Sequence, residues 1–154
     1  MNLFTVSLFG HREICDLRLL EKRLSPIIEE LILTKKYVSF MIGRNGEFDE
    51  YAASVIKRAQ KKFGKENNDI ILILPYRVSN INHYAEYYDS IIIPEALHKI
   101  HYKRAITEQN RWMIKNSDLS IFYVKRKSGG ANTAMKYAEI SGKQIINLCS
   151  DEYE

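Results

Sequence analysis

The chain reads as a three-layer α/β sandwich: a mainly parallel sheet of about five to six strands with helices on both faces. Three observations carry this. Short runs of β-branched and apolar residues alternate with segments of helical period. The runs are apolar throughout rather than at every second position, as expected of strands covered on both sides. Glycine or proline closes most of these segments. Strand-helix alternation of this kind implies right-handed crossovers.

Taken in order, Leu3–Phe9 is the first buried strand, and Gly10, His11 and Arg12 follow it. Leu17, Leu20, Leu24, Ile27, Ile28, Leu31 and Ile32 then recur at helical spacing. Pro26 interrupts the pattern, either kinking one helix or restarting it with Ser25 as cap. Val38–Ile42 is the second strand. It runs into GRNGEFD (43–49), and a helix from about Asp49 to Phe63 stops at Gly64. Asp69–Leu74 is the third strand, ended by Pro75, Tyr76 and Arg77. Val78–Asp89 shows no clean period and reads as loop or short helix. Ser90–Ile93 is a fourth short strand. Glu95–Tyr102 is ambiguous, and Lys103–Lys115 is helical. Leu119–Val124 is the fifth strand, Ala131–Ser141 a helix ended by Gly142, and Gln144–Leu148 the sixth strand before a polar tail, SDEYE.

A length of 154 residues, 45% apolar and 27% charged, is that of one globular domain with a real core, expected to span residues 1–154. The opening MNLFTVSLFG lacks a basic leader and reads as a strand, not a signal peptide. No apolar run approaches membrane-spanning length. Cys15 and Cys149 have no partner motif, so a reduced cytoplasmic setting is expected. The net charge of +4 is mild, and no Lys/Arg tract reads as a nucleic-acid tail. His11, His83, His98 and His101 show no metal-ligand spacing, and CxxC is absent, so no metal is expected.

Polar and glycine signals gather after the strands, at the edge where ligands sit in parallel sheets. The strongest is KSGGAN (127–132) between the fifth strand and the next helix. Ser128, Gly129, Gly130, Asn132 and Thr133 offer backbone N–H groups and hydroxyls at a helix start, an arrangement suited to phosphate. The stretch is neither a Walker A loop nor a GxGxxG fingerprint. After the second strand, Gly43 and Gly46 allow close approach of a ligand. Asp49 is placed either to cap the following helix or to accept from a ribose or base. Glu47 reads as a loop carboxylate. Arg12, Arg44 and Arg77 follow three predicted strands and Arg111 lies in the fourth helix, where guanidinium forks would meet phosphate oxygens. His11 either bonds a ligand or packs in its turn. Were an N-glycosidic bond to be cut, a carboxylate would be needed, and Glu47, Asp49 and Glu139 are the candidates among which the sequence does not choose.

GHR (10–12), GRNGEFDEYA (43–52), DIILILPY (69–76), RAITEQNRWMIKNSDLSIFYV (104–124), SGGANTAMKYA (128–138) and GKQIINL (142–148) occur in an order that resembles the SLOG superfamily of Rossmann-like domains. The nearest branch by this resemblance is the YpsA-like proteins. The superfamily binds nucleotides and nucleotide-derived ligands, as hydrolases, sensors or DNA binders. The resemblance implies ligand groups at Gly10, His11, Arg12, Gly43, Gly46, Asp49, Arg111, Ser128, Gly129, Gly130 and Thr133, with Arg44 assisting. It implies a nucleotide or ADP-ribose-like ligand. The related Lonely Guy phosphoribohydrolases carry PGGxGTxxE; here Lys136 stands where their glutamate would be, a departure that weighs toward nucleotide binding, with a nucleotide N-glycosidase or phosphoribohydrolase and a regulatory protein-interaction module with a vestigial pocket as the alternatives. The DNA-processing branch, DprA, is similar in fold. The Tyr84–Tyr88 stretch is acidic rather than basic, and nucleic acid is not expected as a partner. The aromatic-rich Tyr76–Tyr102 region offers a homo-oligomer contact that would cover a neighbour's pocket.

Overall fold

A computed structural model describes residues 3–150. Six parallel strands form one sheet in the order β4-β3-β2-β1-β5-β6. They are β1 (Leu3–Gly10), β2 (Tyr37–Ile42), β3 (Asn68–Ile73), β4 (Ser90–Ile92), β5 (Leu119–Tyr123) and β6 (Gln144–Asn147). The helices are α1 (Leu17–Thr34), α2 (Glu47–Phe63), α3 (Ile81–Tyr87), α4 (Tyr102–Lys115) and α5 (Gly130–Ile140). The predicted architecture is thus observed. The end of the SDEYE tail, 151–154, lies outside the described residues.

Successive strand residues point to opposite faces, and this divides the core in two. Leu8, Phe40, Ile42, Leu72 and Ile121 face α1 and α2, meeting Leu20, Leu24, Ile28, Phe48, Ala52 and Ile56. Phe9, Met41, Ile73 and Phe122 face the other way and meet Met113 and Ile114 of α4 and Ala131, Ala134 and Ala138 of α5. Each large side chain taken fully out of water contributes roughly 1.5–3 kcal/mol. The alanines on α5 keep that helix close to the strands, which seats its N-terminus at the sheet's edge.

Two elements narrow alternatives the sequence left open. α1 is one unbroken helix of 18 residues through Pro26. Pro26 and Lys22 are both exposed, so the Lys22 carbonyl, which loses its helical donor to the proline, lies on the side of the helix that water reaches. Ser25 does not cap a restarted helix; its hydroxyl donates to Glu29 Oε2 at 3.1 Å. Within Val78–Asp89, Ile81–Tyr87 is helical, and none of its residues is buried, which is why it lacks an apolar period.

From β1 the chain moves through β2 and β3 to β4. It then crosses back through α4 to β5 on the other side of β1. The strand order therefore reverses between β1 and β5. Loops leaving two adjacent strands on opposite courses open a crevice there.

Candidate nucleotide-binding crevice

A cavity of about 490 Å³ occupies that reversal point. It is lined by Gly10–Glu13 after β1, Asn45 and Asp49 from the β2–α2 turn, Ile106 and Asn110 from α4, and Arg126 and Ser128–Ala131 before and within α5.

The floor on the α5 side is backbone. Gly129 precedes the helix at φ 93°, ψ 175°, a conformation that favours glycine. No side chain caps α5, and its first turn contains no acidic residue. Its leading N–H groups are therefore left to an outside acceptor, at the positive end of the helix dipole. A Cβ added at Gly129 or Gly130 would meet nothing within 4 Å, and both residues border the open cavity. Thr133 is exposed, and its hydroxyl donates to the Gly129 carbonyl at 3.0 Å. It lies beside the main cavity, in a small crevice shared with Arg111 and Gly130.

The opposite wall is braced by close packing. A Cβ on Gly10 would fall 2.2 Å from Phe48 Cγ, and one on Gly46 would fall 2.5 Å from Arg12 Cα. These two glycines let the β1–α1 and β2–α2 turns touch. The Glu47 amide donates to the Arg12 carbonyl at 2.8 Å, and the Glu47 carboxylate accepts from the Ile14 amide at 3.2 Å. Gly43 is crowded too: an added Cβ would lie 2.7 Å from Gln109 Nε2.

His11 is buried, and its Nε2 accepts from the amides of Lys125 and Arg126 at 2.9 and 3.1 Å. Of the two roles open to it, the structure shows one in use: the imidazole ties the β5–α5 turn to the end of β1. Burial, helped by the Arg126 charge, lowers its pKa below the ordinary value. Both bonds need an unprotonated Nε2.

Asp49 does not cap α2, whose N-cap is Gly46; it sits in the first turn and accepts from the Asn45 amide at 2.8 Å. It is 7% exposed, and burial pushes its pKa up to about 7, against the opposing effects of the Asn45 amide and Arg44. The cavity thus has a carboxyl group that titrates near neutrality at its back and two exposed guanidiniums, Arg12 and Arg126, at its mouth.

Of the residues proposed from sequence, Gly10, His11, Arg12, Asp49, Ser128, Gly129 and Gly130 line the cavity together. Gly43, Gly46 and Glu47 support its walls. Arg44 turns away into a second crevice with Tyr84. Arg111 pairs with Glu108 at 3.6 Å and lies over the Tyr137 ring. Glu139 and Lys136 are exposed further along α5, outside the cavity lining, and Arg77 is exposed after β3. Sequence reasoning missed Asn45, Ile106, Asn110 and Arg126. Ile106 and Asn110 stand one helical turn apart on α4, a spacing that would have flagged them only once one was known to face a ligand.

No family model matches the chain, and no curated protein matches it by sequence. The solved structures do give an answer at the level of architecture. DNA processing protein A (DprA) from Streptococcus pneumoniae superposes with a TM-score of 0.67 at 12% identity, over 93% of this chain and 49% of that one. DprA from Helicobacter pylori gives 0.61 at 15% identity, over 92% of this chain and 63% of that one. The fold is shared with DprA. That agrees with the DNA-processing part of the sequence resemblance, while the YpsA-like branch gains no support from these matches. The chain spans about half to two thirds of the length of the DprA chains. The H. pylori structure is described for its single-stranded DNA binding mode. The expectation that nucleic acid is not a partner is therefore corrected. It rested on the lack of a contiguous basic tract, whereas the fold gathers Arg12 and Arg126 from separate loops to one mouth. Among the described residues, no helix is long and apolar enough to cross a membrane.

Proposed function

We propose that the crevice between β1 and β5 binds a nucleotide through its phosphate. The observation that carries this reading is the uncapped start of α5, where Gly129 and Gly130 border an open cavity of about 490 Å³. Backbone amides at a helix N-terminus suit phosphate oxygens. Arg12 and Arg126 supply the cationic rim, with bidentate geometry available to each. Asn45, Asn110 and Asp49 supply the polar groups that would meet ribose or base. The cavity volume falls within the range of small-molecule sites.

The nucleotide unit would be held either free or as part of a single strand. The second form is favoured by the fold shared with H. pylori DprA and by the run Lys125, Arg126 and Lys127, all exposed beside the cavity. Hydrolysis finds less support. Of the three candidate carboxylates, Glu47 is engaged with the Ile14 amide and Glu139 lies outside the lining, which leaves Asp49 alone in the cavity.

A thermal-shift and calorimetric panel of AMP, dAMP, NAD, ADP-ribose and a (dT)12 oligonucleotide tests the reading. Saturable binding of at least one phosphate-bearing member, weakened by salt, is expected. No response across the panel would remove the proposal. Binding of the oligonucleotide with none of the free nucleotides would assign the site to single strands.

A further inference from the structure

A second crevice, of about 380 Å³, opens on the other side of the β2–α2 turn. Its walls are Arg44, Glu50, His83, Tyr84, Tyr87 and Tyr88, brought together by that turn and by α3. Consecutive residues of the turn serve the two crevices. Asn45 and Asp49 face the first, and Arg44 and Glu50 face the second.

Rings dominate this crevice. The Arg44 guanidinium lies 4.7 Å from the centre of the Tyr84 ring, and its Nη2 is 3.5 Å from Glu50 Oε1. His83 meets Tyr84 edge-on with centroids 5.7 Å apart, and Tyr87 meets Tyr88 likewise at 5.0 Å. Tyr88 is 3% exposed, and its hydroxyl interacts with the Arg44 guanidinium at the back of the crevice.

The charge balance separates the two crevices by ligand. The first offers helix amides and sets two guanidiniums, Arg12 and Arg126, against Glu13 and the buried Asp49. The second sets Glu50 and Glu86 against Arg44 alone, which disfavours a phosphate. A flat, neutral ring with donors and acceptors on its edge fits instead. Its face would stack on tyrosine, its amino group would donate to Glu50, and its carbonyl or ring nitrogen would accept from Arg44 or Tyr88.

We infer that the Arg44–Tyr84–Tyr88 crevice is a subsite for a nucleobase, taking the base of the nucleotide next to the one whose phosphate sits at α5. The inference rests on the nucleotide reading given above. The first cavity has room and polar groups for a nucleotide of its own, so the second crevice serves a ligand longer than one unit.

The test compares dAMP with the 5′-phosphorylated deoxyadenylate dinucleotide by calorimetry, using the wild-type chain and three variants checked for fold by circular dichroism. Tyr84→Leu keeps the apolar packing and removes the ring, Arg44→Ala removes an exposed cation, and Gly130→Asp blocks the first cavity. The dinucleotide is expected to bind about tenfold tighter than dAMP, in line with one stacked base. Tyr84→Leu should erase most of that gain and leave dAMP affinity within twofold, and Arg44→Ala should erase most of it too. Gly130→Asp should weaken both ligands. Equal affinity of the two ligands, or a gain that survives both Tyr84→Leu and Arg44→Ala, would overturn the subsite while leaving the first reading intact. Dinucleotide binding that depends on Tyr84, with dAMP not binding at all, would overturn the first reading and keep the subsite. Absence of binding by either ligand overturns both.

Discussion

His11 and Asp49 line the same cavity and respond to pH in opposite directions. The pKa of His11 is lowered in the folded chain, so between that value and its ordinary 6.5 the unfolded chain holds more protons. The stability it contributes is present above 6.5 and is lost as pH falls through the folded value. Protonation also breaks its bonds to the Lys125 and Arg126 amides. The protection factors of these two amides against hydrogen exchange, taken relative to the intrinsic rate at each pH, should therefore fall on acidification below 6.5 more than those in β1 do. Equal change in both places would show that His11 does not hold the turn. Asp49 has the reverse sign. Its folded pKa is raised to about 7 from an ordinary 3.8, so the folded chain holds the extra proton, and stability falls as pH rises between the two values. Asp49→Asn should be stabilising at pH 8, by an amount on the order of 4 kcal/mol at full ionisation, and close to neutral at pH 4. Urea midpoints at the two pH values check this. A stability difference that does not grow with pH would place the carboxyl in a wetter site. The glycines divide as sharply. Gly10→Ala drives a Cβ into the fully buried Phe48 ring and should cost about 1–3 kcal/mol or more. Gly130→Asp meets open space and should leave the melting temperature within a few degrees of wild type.

At the scale of elements, α1 shows what a local rule misses. Pro26 falls mid-helix on the solvent side, and the apolar stripe Leu20, Leu24, Ile28, Leu31 and Ile32 keeps the helix continuous through it. Packing of that stripe outweighs the roughly 3 kcal/mol penalty of an interior proline. Pro26→Ala should accordingly raise stability by about 1–3 kcal/mol, less whatever the unfolded chain gains in freedom. A loss of stability on that change would mean the helix needs a proline-shaped bend. The strands and the long helices were legible because each carries a strong apolar run or stripe. α3 was not, since no residue of it is buried and its aromatic side chains serve a crevice rather than the core. The β5–α5 turn was legible for the opposite reason: paired glycines at a helix start have a narrow set of uses. The sequence could not say that Asp49 faces the cavity rather than capping α2, because both roles ask for the same residue at the same place. Nor could it separate Arg12, which reaches the cavity mouth, from Arg44, which serves another crevice, since both follow a strand.

The molecule as a whole is arranged around one reversal of strand order. Loops from β1, β2 and β5, with α4 above them, converge on a crevice whose floor is helix amide and whose mouth is guanidinium. The sheet shared with DprA explains why such a crevice exists; the residues lining it are this chain's own, at 12% and 15% identity. Charge placement argues for an anion there. A calorimetric titration of dAMP into the wild-type chain and into Gly130→Asp, at low salt and with both proteins shown to be folded, tests this most directly. The account predicts one saturable site in the wild type and a loss of at least tenfold in the variant. Equal binding by the two proteins would contradict it, because the phosphate would then be held somewhere other than the start of α5.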